Sequence, residues 1–218
     1  MKKAVSVIVF AVIMAVSAQA QVFIGGSLGA DYGGGKTKSG SSSTDRPSTF
    51  SIEFSPRVGY YLNDRFAAGI DVGFKRMVHN DRADTETKNF TTAFGVGAFG
   101  RYHAVEVDRL ALILEGELGW GTGMQKTKTG SNSTEGDPVN TLGLFVYPVL
   151  SYSLTERLSL EAYSDFLRLG LGMMTTENDE MDRKTTKNYF GFGVNAEDNE
   201  LYREASGSAF SIGIVFKF

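Results

Sequence analysis

The chain of 218 residues contains no cysteine, two histidines and four prolines. The lack of cysteine excludes disulfides, thiolate zinc ligands, thiol nucleophiles and the lipidated N-terminal cysteine of a lipoprotein. Two histidines leave little material for metal sites or catalytic triads. Acidic residues outnumber basic ones only slightly, 25 against 22, so nothing favours nucleic acid as a partner. The chain also lacks the runs of about 20 apolar residues that helical membrane proteins need.

Glycine, in contrast, is abundant. The 26 glycines make up about 12% of the chain, against a usual share of about 7%, and they disfavour helices. Hydrophobic residues make up 42% and charged residues 22%, which is too apolar for a disordered chain. The length predicts a single domain, or at most two small ones.

The N-terminus has the pattern of a secretory signal. Lys2 and Lys3 form a basic segment, residues 4–16 are almost entirely apolar, and Ala18-Gln19-Ala20 matches a signal-peptidase site. We therefore expect residues 1–20 to be removed and residues 21–218 to form the folded domain.

The rest of the chain alternates between apolar and polar residues with a period of two. From Phe50 to Leu62 the even positions are mostly large and apolar, and the odd positions are mainly polar, which predicts a strand with two different faces. The pattern occurs in segments whose apolar positions run from Ile24 to Tyr32, Phe50 to Leu62, Ala68 to Phe74, Phe90 to Tyr102, Leu110 to Trp120, Leu142 to Leu154, Leu158 to Met173 and Phe210 to Phe218. In the seventh segment the phase changes between Phe166 and Leu167, which predicts a β-bulge.

The connections between these segments also alternate. Residues 63–65, 105–108 and 155–157 form short turns, whereas residues 35–48, 80–88, 122–139 and the region after Met174 are long and polar. This asymmetry is typical of outer-membrane barrels. The sequence therefore predicts an all-β protein, an eight-stranded antiparallel up-and-down transmembrane β-barrel with short periplasmic turns and long extracellular loops.

Side-chain volume predicts which face of the strands is outside. A soluble lipocalin-like barrel would place the apolar face inside, but an eight-stranded interior has room only for the smaller set of residues, mainly Gly, Ala and Ser with scattered charges. We therefore expect the bulky apolar face to contact lipid. A further segment, Tyr189 to Asn195, is expected to form a short hairpin with the end of strand seven; a ten-stranded barrel using residues 196–206 is the alternative.

These features resemble the small outer-membrane β-barrel proteins of the OmpA/OmpX-like and Bacteroidetes "porin family" type. The resemblance rests on the signal, the eight alternating strands, the asymmetric connections and the last strand, whose alternating residues are Phe210, Ile212, Ile214, Phe216 and Phe218. It implies a monomer in the outer membrane of a Gram-negative bacterium, in contact with membrane lipid and lipopolysaccharide. It also implies that the barrel-assembly machinery reads the last strand. The family includes defence, adhesion, pore and enzyme members, so it does not fix the function.

Polar residues on the inner face form the candidate site. They are Glu53, Arg57, Asp71, Lys75, Arg101, Glu115, Glu117, Glu161, Asp165 and Lys217. An eight-stranded barrel holds little beyond side chains, so these charges are interpreted as a salt-bridged plug, with a selective pore lining as the alternative.

The short turns predict how these residues pair. The turn at 63–65 places Arg57 opposite Asp71 and Glu53 opposite Lys75, and we expect the side chains of Glu53 and Lys75 to be in contact. The turn at 155–157 places Ser151 opposite Glu161 and Tyr147 opposite Asp165. The carboxylates of Glu115 and Glu117 are expected to reach across the lumen to Arg57 or Arg101.

No cofactor, metal or catalytic residue is expected. Lipid A deacylases and outer-membrane phospholipase use a His with a Ser two positions later on one strand face, and neither His79 nor His103 has such a Ser. The acidic run at 177–182 lacks the glycine and the spacing of a calcium loop. Arg76 and Arg168 are expected near the outer ends of their strands, at the level of lipopolysaccharide phosphates. Two aromatic girdles are expected, one of Tyr32, Phe50, Trp120 and Phe166 and the other of Tyr60, Phe66, Tyr102, Tyr152 and Phe216.

The sequence thus favours a non-enzymatic outer-membrane barrel that acts through its loops in envelope integrity or surface interaction. A narrow passive pore for small solutes or ions is the alternative, and a lipid-modifying enzyme is a third possibility. The sequence identifies no surface ligand.

Overall fold

The computed structural model describes residues 22–40, 42–81, 87–164, 167–178, 183–192 and 210–218. The expected signal at residues 1–20 lies outside this part. The described residues form strands β1 (Val22–Gly33), β2 (Lys36–Ser39), β3 (Ser42–Asp45), β4 (Ser48–Tyr61), β5 (Phe66–Asp81), β6 (Thr87–Val107), β7 (Leu110–Thr129), β8 (Asn132–Glu135), β9 (Val139–Ser153), β10 (Leu158–Ser164), β11 (Leu169–Asn178), β12 (Arg183–Phe192) and β13 (Phe210–Lys217). Among these residues no helix is long and apolar enough to cross a bilayer.

The long strands close into an antiparallel barrel. The order around it is β1, β4, β5, β6, β7, β9, β10 and β13, and β13 pairs back with β1. The first part of β9, residues 139–146, pairs with β11, and the last part, residues 149–153, pairs with β10. β10 and β11 together therefore form the seventh strand of the barrel. The predicted eight-stranded antiparallel barrel is therefore confirmed, and it is the architecture that the resemblance to OmpA/OmpX-like proteins implies.

The seventh strand is interrupted where the sequence changes phase. Before the interruption the side chain of Leu160 is exposed on the outside of the barrel, and after it those of Leu167, Leu169 and Leu171 are. The shift from even to odd positions is the one that the sequence predicts. Residues 165 and 166, beside the expected β-bulge, lie outside the described part.

The extra segment near Tyr189 also lies where it was expected. Its residues 189–192 belong to β12, which pairs along its whole length with β11, from Leu169 opposite Phe192 to Asn178 opposite Arg183, and residues 193–195 lie outside the described part. It is therefore a hairpin with the end of the seventh strand, and it begins six residues earlier than the sequence suggests. Residues 196–206, on which the ten-stranded alternative depends, lie outside the described part.

Large apolar side chains cover the outside of the barrel. Exposed examples are Ile24, Leu28, Phe54, Ile70, Phe74, Phe94, Leu118, Trp120, Leu144, Leu171, Ile212 and Ile214. Water would be a poor solvent for such a continuous apolar surface, whereas bilayer hydrocarbon suits it. The expected direction of the two faces is confirmed.

The expectation that the inner face holds only small and charged residues is wrong. The rings of Phe23 and Phe99 are buried inside, together with Phe145, Tyr147, Tyr163 and Tyr189. They fit because glycines lie beside them. A methyl group at Gly59 would lie 2.3 Å from the Phe23 ring, and one at Gly69 would lie 2.4 Å from the Phe99 ring. Because each glycine has no side chain, the neighbouring ring occupies the space that a side chain would fill.

The two ends of the barrel differ as predicted. At the short-turn end, Asn63 Oδ1 accepts hydrogen bonds from the backbone N–H groups of Arg65 and Phe66, both at 2.9 Å, and Thr155 Oγ1 accepts from Leu158 at 3.0 Å. At the other end β6 and β7, with 21 and 20 residues, are about twice as long as the ~9–11 residues that cross a bilayer. A sheet of β5 to β7 therefore projects beyond the apolar belt, together with the hairpin of β7 and β8.

Candidate functional site

Arg101 lies at the centre of a buried ion-pair network in the half of the lumen nearer the short turns. Its Nε donates to Glu115 Oε2 at 2.5 Å, and its Nη1 and Nη2 donate to the two carboxylate oxygens of Glu161, both at 2.9 Å. Nη2 also donates to the hydroxyl of Tyr163 at 2.9 Å, and that hydroxyl donates to Glu161. The side chains of Arg101, Glu115 and Glu161 are at most 2% exposed. Arg101 thus makes four hydrogen bonds to buried acceptors, and a buried arginine paired in this way holds its neighbours in one geometry.

A second arginine joins the same carboxylate. Arg57 Nη1 donates to both oxygens of Glu115, at 2.9 and 3.0 Å. The guanidinium of Arg57 lies 4.8 Å from the ring centroids of Phe99 and Tyr163, which is within cation–π range. The contact expected between Glu115 and the lumen arginines is thus found for both arginines, across the lumen to Arg57 and to the neighbouring strand for Arg101, whereas the hydrogen-bond partner found for Glu117 is Tyr147.

Tyr147 links these side chains to Glu117. Its hydroxyl lies 2.6 Å from Glu115 Oε1 and 2.8 Å from Glu117 Oε2. A phenol has one proton to donate, so it cannot satisfy both carboxylates at once. Glu115 already has two arginine partners, whereas Glu117 depends on this shared proton. We call the buried, mutually bonded side chains the lumen network; its members are Arg57, Arg101, Glu115, Glu161, Tyr147 and Tyr163.

The register predicted from the turns is the register of the structure. Arg57 is the cross-strand partner of Asp71, Glu53 that of Lys75, and Ser151 that of Glu161. Arg57 and Asp71 lie opposite each other but are not hydrogen-bonded, because Arg57 turns to Glu115. Within the described part of the chain, Asp71 Oδ2 is buried and has no hydrogen-bond partner. Asp165, the expected neighbour of Tyr147, lies outside the described part.

Above the lumen network one side of the lumen is open. The inner positions of β5, β6 and β7 in the projecting half are partly exposed, whereas those nearer the short turns are mostly buried. Gly73, Gly95 and Gly121 lie side by side on these three strands, and a methyl group at Gly73 would meet nothing within 4 Å. We call the space over these glycines the outer vestibule. Asp71 and Glu117 lie at its floor.

The expectation that Arg168 lies near the outer end of its strand, at the level of lipopolysaccharide phosphates, is wrong. Its side chain is buried, and its guanidinium lies 3.6 Å from the ring centroid of Phe145, inside the barrel. The phase change in the seventh strand explains this position, because it turns Arg168 inward. Arg76 does lie exposed on the outer face, as expected.

The two histidines lie in different surroundings. His79 Nδ1 is 2.8 Å from Thr49 Oγ1 on the inner face of the projecting sheet, and within the described ranges no carboxylate is hydrogen-bonded to its ring. The ring of His103 lies 5.8 Å from that of Tyr61 near the short turns. Within those same ranges, no three His, Cys, Asp or Glu side chains are grouped as metal ligands. Of the acidic run, Glu177 accepts from Lys184 at 2.6 Å, and residues 179–182 lie outside the described part.

Sequence reasoning missed Tyr163 and the rings that flank the arginines. Tyr163 is on the same face of β10 as Glu161, two positions away, so the alternation alone would have found it. Phe23 and Phe99 occupy inner positions in an equally clear alternation. Their size predicts the outer face, but each ring lies opposite a glycine of the neighbouring strand, which leaves room for it in the lumen.

Comparisons with known proteins do not assign the chain to a family. No protein-family model and no curated protein matches it. Among solved structures, the chain is similar to Neisserial surface protein A, with 14% identity over 91% of this chain and 98% of that chain and a TM-score of 0.39. It is similar to the Ail protein of Yersinia pestis, with 14% identity over 91% and 99% of the two chains and a TM-score of 0.40. It is also similar to a major outer membrane protein from Thermus thermophilus, with 12% identity over 90% of this chain and 99% of that chain and a TM-score of 0.45. Identities and scores this low carry no argument about function.

Proposed function

We propose that the chain is a non-enzymatic integral outer-membrane protein with a closed lumen, which acts in envelope integrity or surface interaction through its projecting end. The observation that supports this proposal is the lumen network, a set of buried and mutually bonded side chains inside the barrel. Export by the N-terminal signal and assembly through the last strand, with Ile212, Ile214, Phe216 and Phe218 on its outer face, belong to the same proposal.

The outer surface supports a membrane location. Aromatic side chains lie exposed near both edges of the apolar belt; those near the projecting end are Tyr32, Phe50 and Trp120, and those near the short turns are Tyr60, Phe66, Tyr152 and Phe216. Phe166, expected at the first edge, lies outside the described part. Amphipathic rings at two levels anchor a barrel at the two membrane interfaces. The short turns then face the periplasm, and the projecting sheet faces the outside.

The lumen network supports a barrel that does not conduct. Arg101 is buried and hydrogen-bonded across the lumen from β6 to Glu161 on β10, and the Phe23 and Phe99 rings pack beside Arg101 with their centroids 5.4 Å from its guanidinium. An eight-stranded barrel is just wide enough for its interior to be filled by side chains. An ion that passes this level has to break several buried charged hydrogen bonds.

Planar-bilayer recording tests the closed lumen. The wild-type chain is expected to stay silent, whereas Arg101→Ala, which opens the centre of the network, is expected to produce discrete openings. Discrete openings of the wild type, reduced by Glu53→Gln or Lys75→Met, would instead support the narrow passive pore. Incubation with lipopolysaccharide and phospholipid tests the enzyme alternative, and the proposal expects unchanged acyl chains.

Basic residues on the projecting sheet support a contact with lipopolysaccharide. Arg76, Lys88, Lys126 and Lys128 continue the outward alternation of Phe74, Phe94 and Trp120, and they lie just beyond these apolar residues. Lys128 Nζ lies 5.5 Å from the ring centroid of Phe90, and these two residues line a shallow depression with Lys88. Phosphates of outer-leaflet lipid would lie at this level, where cations bind them directly.

Binding of lipopolysaccharide to the refolded chain tests this contact. The double variant Arg76→Gln, Lys128→Gln is expected to bind about thirtyfold more weakly, because each of the two lost cations near an anionic surface contributes about 1 kcal/mol. The matched control is Lys36→Gln, Lys38→Gln, which removes the same charge from the hairpin of β2 and β3. Equal weakening in both double variants would contradict a specific contact.

A further inference from the structure

The floor of the outer vestibule holds two acidic side chains that meet over a glycine. Asp71 comes from β5 and Glu117 from β7, and both lie next to Gly97 on the strand between them. A methyl group at Gly97 would lie 2.7 Å from Asp71 Oδ1 and 3.1 Å from Glu117 Oε1, so these two oxygens are at most 5.8 Å apart. Only glycine at this position lets both carboxylates turn to the same point.

Both carboxylates have acceptor atoms that the protein leaves without a donor. Asp71 is 6% exposed, and among the described residues its Oδ2 has no hydrogen-bond partner. Glu117 Oε2 shares the single proton of Tyr147 with Glu115, and no hydrogen bond within the described part of the chain reaches Glu117 Oε1. A buried acceptor without a donor costs about 1–3 kcal/mol, and more if it is charged. A ligand that donates hydrogen bonds and carries positive charge would recover this energy.

The space above the floor is bounded by a flat wall. The inner faces of Gly73, Gly95 and Gly121 present backbone and no side chain. Access from the projecting end is open at these positions, because they are partly exposed. The side nearer the short turns is closed by the lumen network, so a ligand would enter and leave by the same mouth.

We propose that the outer vestibule binds a primary ammonium group, carried on a slender organic chain, at the carboxylates of Asp71 and Glu117. An ammonium has three donors, which two carboxylate oxygens and one water satisfy. Calcium or magnesium needs about six oxygen ligands, whereas the backbone carbonyls of the glycine wall are engaged in the sheet, and no grouping of three acidic or histidine ligands occurs among the described residues. The chain of the ligand lies along Gly95 and Gly121. This site does not depend on whether the lumen conducts.

The test is a titration of the refolded full chain in detergent micelles, followed by NMR at the backbone amides of Gly97 and Gly119. n-Butylammonium chloride is the probe, and tetramethylammonium chloride, which has charge but no N–H donor, is the comparison. We expect saturable shifts with the first salt only. Asp71→Asn and Glu117→Gln should each weaken the binding at least tenfold. Asp31→Asn is the matched control, because Asp31 is another inward carboxylate and already accepts from Ser51 Oγ at 3.2 Å; its affinity should equal that of the wild type.

Three results would overturn the proposal. The first is an equal response to both salts, which would mean charge screening. The second is unchanged affinity in Asp71→Asn and Glu117→Gln. The third is the lack of saturable shifts in the wild type, which would mean that the two carboxylates share a proton between themselves. Gly97→Ala provides a second variant, expected to abolish binding by filling the meeting point, and the dispersion of its NMR spectrum shows whether it has folded.

Discussion

Replacing Arg101 by methionine should strongly destabilise the barrel. Methionine keeps an unbranched apolar side chain but removes the four hydrogen bonds that the guanidinium makes to Glu115, Glu161 and Tyr163. Glu115 keeps Arg57 and Tyr147, whereas the one partner that Glu161 keeps among the described side chains is Tyr163. Removing one partner of a buried ion pair costs about 3–5 kcal/mol, because the other charge stays buried. We therefore expect Arg101→Met to lower the free energy of unfolding by about that amount.

A double-mutant cycle separates the pair from the packing around it. Glu161→Met alone should also destabilise, but Arg101→Met combined with Glu161→Met removes both charges and leaves no unpaired partner at that position. The double variant should therefore be more stable than the sum of the single effects predicts, by about 2 kcal/mol or more, which is near the upper end for residues in contact.

Urea titration in lipid vesicles provides the measurement. Trp120 is the single tryptophan of the chain and lies on the outer face, 45% exposed, so its emission reports loss of the lipid environment. Leu118→Ala, on the same outer face, is the control for loss of a lipid contact alone. A loss of less than about 1 kcal/mol in Arg101→Met, or strictly additive effects in the cycle, would refute the reasoning from buried charge.

Three further predictions concern single contacts. Gly69→Ala should lower the free energy of unfolding by about 1–3 kcal/mol through overpacking, because its methyl group would lie 2.3 Å from the Val58 carbonyl oxygen and 2.4 Å from the Phe99 ring; Gly73→Ala, with nothing within 4 Å, is the silent control in the same urea assay. Tyr163→Phe should cost about 1–3 kcal/mol, since its hydroxyl accepts from Arg101 and donates to Glu161; a neutral result would mean that the hydroxyl is dispensable to the network. The pKa of Glu135 in the projecting hairpin lies below its ordinary value because Lys126 Nζ donates to it at 2.9 Å. The ion pair of Glu135 and Lys126 is fully formed at pH values above the ordinary pKa of a glutamate and is lost as the pH falls through the lowered pKa. Lys126→Met should therefore raise the pKa of Glu135 in an NMR titration, and an unchanged pKa would contradict the pairing.

The strands and their register could be predicted from the sequence because both depend on local rules. Alternation with a period of two fixes the faces of each strand, and a short turn fixes which residues lie opposite. The pairing of Glu53 with Lys75 in register follows from the turn at 63–65 alone. The phase change in the seventh strand was visible for the same reason.

The partners of the charged side chains could not be predicted in the same way. Arg57 faces Asp71 in register but bonds to Glu115, two strands further on, because a long side chain can cross the lumen and Glu115 collects several donors there. The inward rings of Phe23 and Phe99 were missed since their fit depends on glycines of neighbouring strands. These outcomes depend on three-dimensional volume across the axis, which no single strand encodes.

The glycines of the inner wall have a mechanical consequence. Gly97, Gly119, Gly143 and Gly172 are adjacent on four neighbouring strands, across half of the circumference. With no side chain on the inner surface along this line, the sheet has little resistance to creasing there, and glycine is the residue at which curved sheets bend. A crease at this height would let the cross-section flatten without breaking a ladder hydrogen bond. The Tyr189 ring already lies against Gly143 and Gly172, so such a crease would close this side of the lumen first.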